Sequence, residues 1–212
     1  MRDFSPRDSV QLVWRSFELD PSAPREAPED LPYVRRLARK YGRSEPQAQA
    51  MIDNMRDVAA NESLQMDFSR IRTSNTFDAH RLLHFAHEHG RQDQLKEELF
   101  RAYFSAGQVI AAPAALVEAA QSAGLDADQA MGVVTSDAYA AAVRADESAA
   151  GQIGITGVPF YAIGRYGVAG AQPASTLLNV LQKAWEEVPD VQDPGPVADG
   201  AASCGPDGCE LG

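Results

Sequence analysis

The sequence predicts an α/β protein in which a long all-helical block interrupts a small strand layer. Three observations lead there. Residues 9–17 are rich in strand formers, and residues from about 33 to 151 place apolar side chains at helical spacing. The texture then changes at Gly151 to a short hairpin and a closing helix. The chain has 212 residues, 44% of them hydrophobic, enough for one globular domain with an inserted subdomain.

Residues 9–17 (Ser-Val-Gln-Leu-Val-Trp-Arg-Ser-Phe) read as a strand. Pro21, Pro24, Pro28 and Pro32 then bar regular structure to about residue 33, because proline lacks the N–H that helices and ladders need. Ser44 and Gln47 form a capping box, followed by Ala48, Met51, Ile52, Met55 and Ala59 at helical spacing. Asn75 or Thr76 caps a second helix, with Ala79, Leu82, Leu83 and Ala86 as its stripe and Gly90 as its end. Leu95, Leu99, Ala102 and Tyr103 mark a third. Leu116, Ala119, Ala120 and Ala123 mark a fourth, stopped by Gly124. Asp126 and Gln129 open a short fifth, and Tyr139, Ala142 and Val143 belong to a last one before Gly151.

Beyond Gly151, Gly154 and Gly157 break helix, and residues 158–163 read as a strand. Gly164-Arg165 suits a type II′ hairpin turn, which needs a positive φ at its first position. Tyr166 to Ala169 returns. Pro173 starts a closing helix with Leu177, Leu178, Leu181 and Trp185 on its inner face. Residues 188–203 have no periodicity, and Cys204 and Cys209 follow. The expected division is residues 1–29 as one partial half with a single strand, 30–150 as the inserted helical domain, 151–188 as the second half, and 189–212 as a flexible tail. Hairpin and strand together predict a three-stranded sheet.

The formal net charge is −11, and such a surface repels phosphate backbones, so nucleic acid is not an expected partner. No apolar run approaches the roughly 20 residues of a membrane helix, and the first residues lack an apolar signal core. No membrane association is expected, and the expected location is the cytoplasm. A secreted disulfide scaffold would spread more cysteines along its length than the lone pair at 204 and 209.

Three stretches resemble the DsbA/FrnE-like family of thioredoxin-fold dithiol oxidoreductases. They are Val13 to Pro21, Asn75 to Leu82, and Gly154 to Tyr161 continued by Val168 to Pro173. The resemblance implies a thioredoxin-like fold with a large inserted helical subdomain. It also implies thiol–disulfide exchange through a mixed disulfide, with a thiol- or disulfide-bearing protein or a small thiol as partner and no cofactor. It makes Val158-Pro159 a cis-proline loop that offers the Val158 backbone to an extended substrate. The family's Cys-x-x-Cys, whose thiolate a helix N-terminus stabilises, has no counterpart in the chain. Met1 to Pro6 resembles the end of that helix, so the family's first strand and catalytic helix are expected to lie ahead of Met1. No catalytic residue is therefore assigned. Two other readings stand beside this one: a glutathione-dependent isomerase or transferase of the hydroxychromene-carboxylate isomerase or kappa type, and a peptide-binding relic without redox chemistry.

Cys204 and Cys209 are candidates for an auxiliary dithiol. Pro206, Asp207 and Gly208 suit a type I turn that brings the sulfurs together, but Asp207 and Glu210 disfavour a thiolate. His80, His84 and His87 share a helix face without a carboxylate at metal-motif spacing, so they read as a partly solvated face and no metal site is assigned. Ser74-Asn75-Thr76 reads as a helix cap.

Overall fold

The structure, a computed structural model, describes residues 4–25 and 31–188. These fall into two compact units: residues 8–25 with 31–160, and residues 4–7 with 161–188.

The first unit is helical. Helix α1 (Tyr33–Tyr41) ends on Gly42, whose φ of 60° lets its N–H and that of Arg43 reach back to the last turn. Helix α2 (Glu45–Asn61) opens on the predicted capping box. The Ser44 hydroxyl accepts the Gln47 N–H at 3.4 Å, and the Gln47 side chain accepts the Ser44 N–H at 3.1 Å. Helix α3 (Phe77–Glu88) begins where Asn75 Oδ1 accepts the Phe77 N–H at 2.9 Å. Helix α4 (Gln92–Phe100) runs into a π-helical turn at Arg101–Ser105. Helices α5 (Pro113–Ser122), α6 (Ala127–Val134) and α7 (Ala140–Gln152) complete the block. Asp126 caps α6 by accepting the Gln129 N–H at 2.9 Å.

Its core lies among α3, α4, α5 and α6, where Leu82, Leu95 and Leu116 are fully buried. Burying each such leucine contributes roughly 2–3 kcal/mol, which is why the 3.6-residue periodicity decides this half of the chain. A smaller cluster of Ile52, Phe68 and Ile71 sits under Tyr33, Leu37 and Phe104.

The second unit holds most of the sheet. Strands β1 (Phe160–Ile163) and β2 (Tyr166–Ala169) form a two-stranded hairpin. Gly164 takes φ +57° at the turn while Arg165 does not, which meets the type II′ requirement. Tyr161, Ile163, Tyr166 and Val168 alternate as half-buried residues. Helix α8 (Ala174–Glu186) packs on β2, and Phe4 meets Trp185 edge to face at 5.7 Å.

The strand expected at residues 9–17 is absent. Arg7–Ser9 is a short 3-10 turn, and residues 10–19 run without regular structure. The sheet of the described residues therefore has two strands, not three. A strand needs a ladder partner, and this segment's contacts are made to side chains of the helical block instead.

Candidate functional site: an exposed proline loop and a polar tether

Helix α7 is followed by a loop from Ile153 to Pro159. The N–H groups of Gly154 and Ile155 return to α7 carbonyls, at 3.1 and 2.9 Å. The chain then leaves into the open. The Val158–Pro159 peptide bond is cis. Val158 is 47% exposed, and among the described residues its backbone N–H and C=O have no hydrogen-bond partner. An exposed, unpaired N–H and C=O on one residue can take an extended chain by the bonding a strand edge uses.

A second feature escaped sequence reasoning. Segment 10–19 is fastened to α3 and α7 by a buried polar network. Asp146 on α7 accepts the Ser16 N–H at 2.8 Å, an Arg15 N–H at 3.2 Å, and stands 3.1 Å from His84 Nε2. Glu18, its side chain fully covered, accepts from Arg144 at 2.7 Å and from Asn75 at 3.5 Å. Arg144 also binds Glu147 at 2.6 Å. Burial pushes the Glu18 carboxyl up. Burial also acts on Glu147, but the bonds from Arg144 and Glu18 outweigh it and hold that carboxyl down. Glu18 is thus the weaker acid of the pair.

Ser16, His84 and Asp146 together suggest a nucleophilic triad, but the geometry rules it out. Ser16 Oγ lies 3.2 Å from His84 Nε2, and Asp146 approaches the same nitrogen. A triad needs the carboxylate on one ring nitrogen and the hydroxyl on the other. The arrangement is a tether, not a relay.

Among the three histidines, His80 and His84 are half-buried and only His87 lies on the solvent face. His80 Nδ1 is buried without a partner, and burial pushes its imidazole below the usual value. No group of three or more metal-ligating side chains occurs among the described residues. No helix of the described residues is long and apolar enough to cross a membrane. Cys204 and Cys209 lie outside the described residues.

The DSBA-like thioredoxin domain family matches residues 2–182. The chain belongs to this DsbA-like family. It is also similar over its whole length to the crystal structure of a probable DsbA oxidoreductase from Streptomyces coelicolor. Identity is 42% and the TM-score 0.81, with 100% of this chain and 88% of that chain covered. No curated protein matches. The fold is thus a thioredoxin-like DsbA fold with a helical insertion, as the sequence predicts. In this DsbA-like chain the described residues contain no cysteine.

Proposed function

We propose that this DsbA-like protein serves thiol–disulfide exchange on thiol- or disulfide-bearing polypeptides in the cytoplasm. The Val158–Pro159 loop receives the substrate as an extended segment, and Cys204 and Cys209 act as an auxiliary dithiol. The observation that carries the reading is the exposed Val158 with its unpaired N–H and C=O. In the exchange, one cysteine thiolate attacks a substrate sulfur. The substrate S–S bond breaks, one substrate thiolate leaves and takes a proton from water, and a mixed disulfide forms. The second cysteine then attacks the bridged one and releases the other substrate thiol. The substrate gains two electrons and the dithiol becomes a disulfide.

The test follows backbone amides by NMR while a hexapeptide carrying a glutathione-capped cysteine is added. Shifts centred on Val158 are expected. They should vanish with Val158→Pro, which removes the donor, and weaken when the facing peptide amide is N-methylated. Shifts centred elsewhere, with Val158 unmoved, would overturn the proposal.

A further inference from the structure

Away from that loop, the helical unit contains a cavity of about 460 Å³, lined by Tyr33, Arg36, Ser69, Arg70, Ile71 and Arg72. Its size falls within the roughly 300–1,000 Å³ usual for small-molecule sites. Three of its walls are arginines, in a chain of net charge −11. Among the described residues none of the three forms an ion pair with a carboxylate, whereas Arg15, Arg25, Arg35, Arg56, Arg81, Arg101, Arg144 and Arg165 all do. The carboxylate nearest in sequence, Asp67, is engaged by Ser69 through its N–H at 3.1 Å and its hydroxyl at 2.5 Å, and it feels the Arg70 charge without forming an ion pair with it.

Arg36 is the informative member. Its Nε and Nη1 are buried with no hydrogen-bond partner. A guanidinium cannot shed its proton, so burial leaves donors that only an acceptor can satisfy. Arg36 sits one turn into α1, whose N-terminus also faces this region through Pro32 and Tyr33. Pro32 supplies no side-chain cap, no acidic residue occupies the first turn, and the Tyr33 and Val34 N–H groups are unpartnered among the described residues. The positive end of the helix and the arginines therefore add on one spot.

The cavity wall is a built feature. Gly107, at φ +67°, lies so close to Arg70 that an added Cβ would stand 2.7 Å from the Arg70 carbonyl oxygen. The Asp67 N–H bonds the Phe104 carbonyl at 2.8 Å and the Ser105 hydroxyl bonds the Gln65 carbonyl at 2.9 Å, so the segment bearing Arg70 and Arg72 is pinned to the π-helical turn.

We infer that this cavity is a binding site for a small organic anion bearing two or more carboxylate or phosphate groups. The acidic oxygens meet Arg36, Arg70 and Arg72, and the body of the ligand rests on Tyr33 and Ile71. The site is separate from the Val158 loop and does not depend on the thiol chemistry.

Isothermal titration at constant ionic strength tests it, with citrate and pyrophosphate as probes on the full chain. Saturable 1:1 binding of at least one probe is expected, and the tighter probe distinguishes carboxylate from phosphate. Arg72→Gln, at an exposed position, and Arg36→Met should each weaken binding tenfold or more. Gly107→Ala should weaken it by displacing Arg70, and Arg165→Gln should leave it unchanged. Circular dichroism melts establish that each variant is folded, and if Arg36→Met fails that check, Arg72→Gln decides alone. Absence of saturable binding for both probes, or wild-type affinity in folded Arg72→Gln, overturns the inference.

Discussion

Removing the Asp146 carboxylate tests whether segment 10–19 is held by the polar tether. In Asp146→Ala the Ser16 N–H, buried and bonded at 2.8 Å, loses its acceptor. An orphaned buried donor costs about 1–3 kcal/mol. The His84 bond adds about 0.5–1.5 kcal/mol. The Arg15 bond, from a side chain 71% exposed, adds about 0–1 kcal/mol because water screens it. Neighbouring losses overlap, so the total is taken as about 2–4 kcal/mol. The loss falls on the attachment of one segment, not on the leucine core. Hydrogen exchange read by NMR should show the Ser16 amide, the bonded backbone N–H of residues 10–19, losing about 30- to 1,000-fold in protection, since each 1.4 kcal/mol is about tenfold. Amides of α4 and α5 should change little. Protection of the Ser16 amide within threefold of wild type would show that the segment is held by something else. An equal loss in α4 and α5 would show that the network stabilises the whole unit and not one segment.

Three further outcomes are expected. His80 is held neutral by burial, its folded pKa below the unfolded value of about 6.5, so stability is complete above that pH and falls as pH drops toward the folded value. Glu18, raised by burial, works the opposite way as pH rises through the acid range. The His80 contribution is therefore read as the difference between wild type and His80→Phe in urea melts from pH 7 to 5, at a slope of at most about 1.4 kcal/mol per pH unit; parallel curves would refute it. Arg81, almost fully buried, donates to the carbonyls of Val133, Ser136 and Ala138 and to Asp78, so Arg81→Met should cost about 3–5 kcal/mol in urea unfolding and Arg81→Lys should recover only part; a loss under about 1 kcal/mol would contradict the clamp. The chain should reduce insulin slowly or not at all, because Asp207 and Glu210 disfavour the thiolate, so a Cys204→Ser, Cys209→Ser double variant removes at most that slow rate; vigorous reduction abolished in that variant would make the pair the principal active site.

The helical block was legible because its signals are local. Ser44 with Gln47, Asp126 with Gln129, and the stops at Gly90 and Gly124 each act within one turn, and the leucine spacing specifies which face is buried. The hairpin was legible for the same reason, since Gly164-Arg165 carries its own turn geometry. Residues 9–17 misled because strand propensity measures fit to a pleated neighbour, and no neighbour is written into the segment itself. Ser16 and Glu18 look like ordinary surface residues until α7 brings Asp146 and Arg144 beneath them. Arg36, Arg70 and Arg72 read singly as solvated cations, and only the fold puts them around one cavity with Gly107 at its wall.

The tether also bears on the order of assembly. Its bonds join residues 130 positions apart at Ser16 and Asp146 and 126 apart at Glu18 and Arg144. The helices mostly meet their chain neighbours: α1 meets α2, α3 meets α4, and α5 meets α6. Short-range pairs close small loops and gain apolar contact at once, whereas the tether encloses nearly the whole unit before its first bond forms. The helical pairs are thus in place before segment 10–19 settles, and its contacts contribute little at the folding barrier. Their weight falls on the rate of leaving the native state, so this polar clasp governs how long the folded unit persists more than how fast it forms.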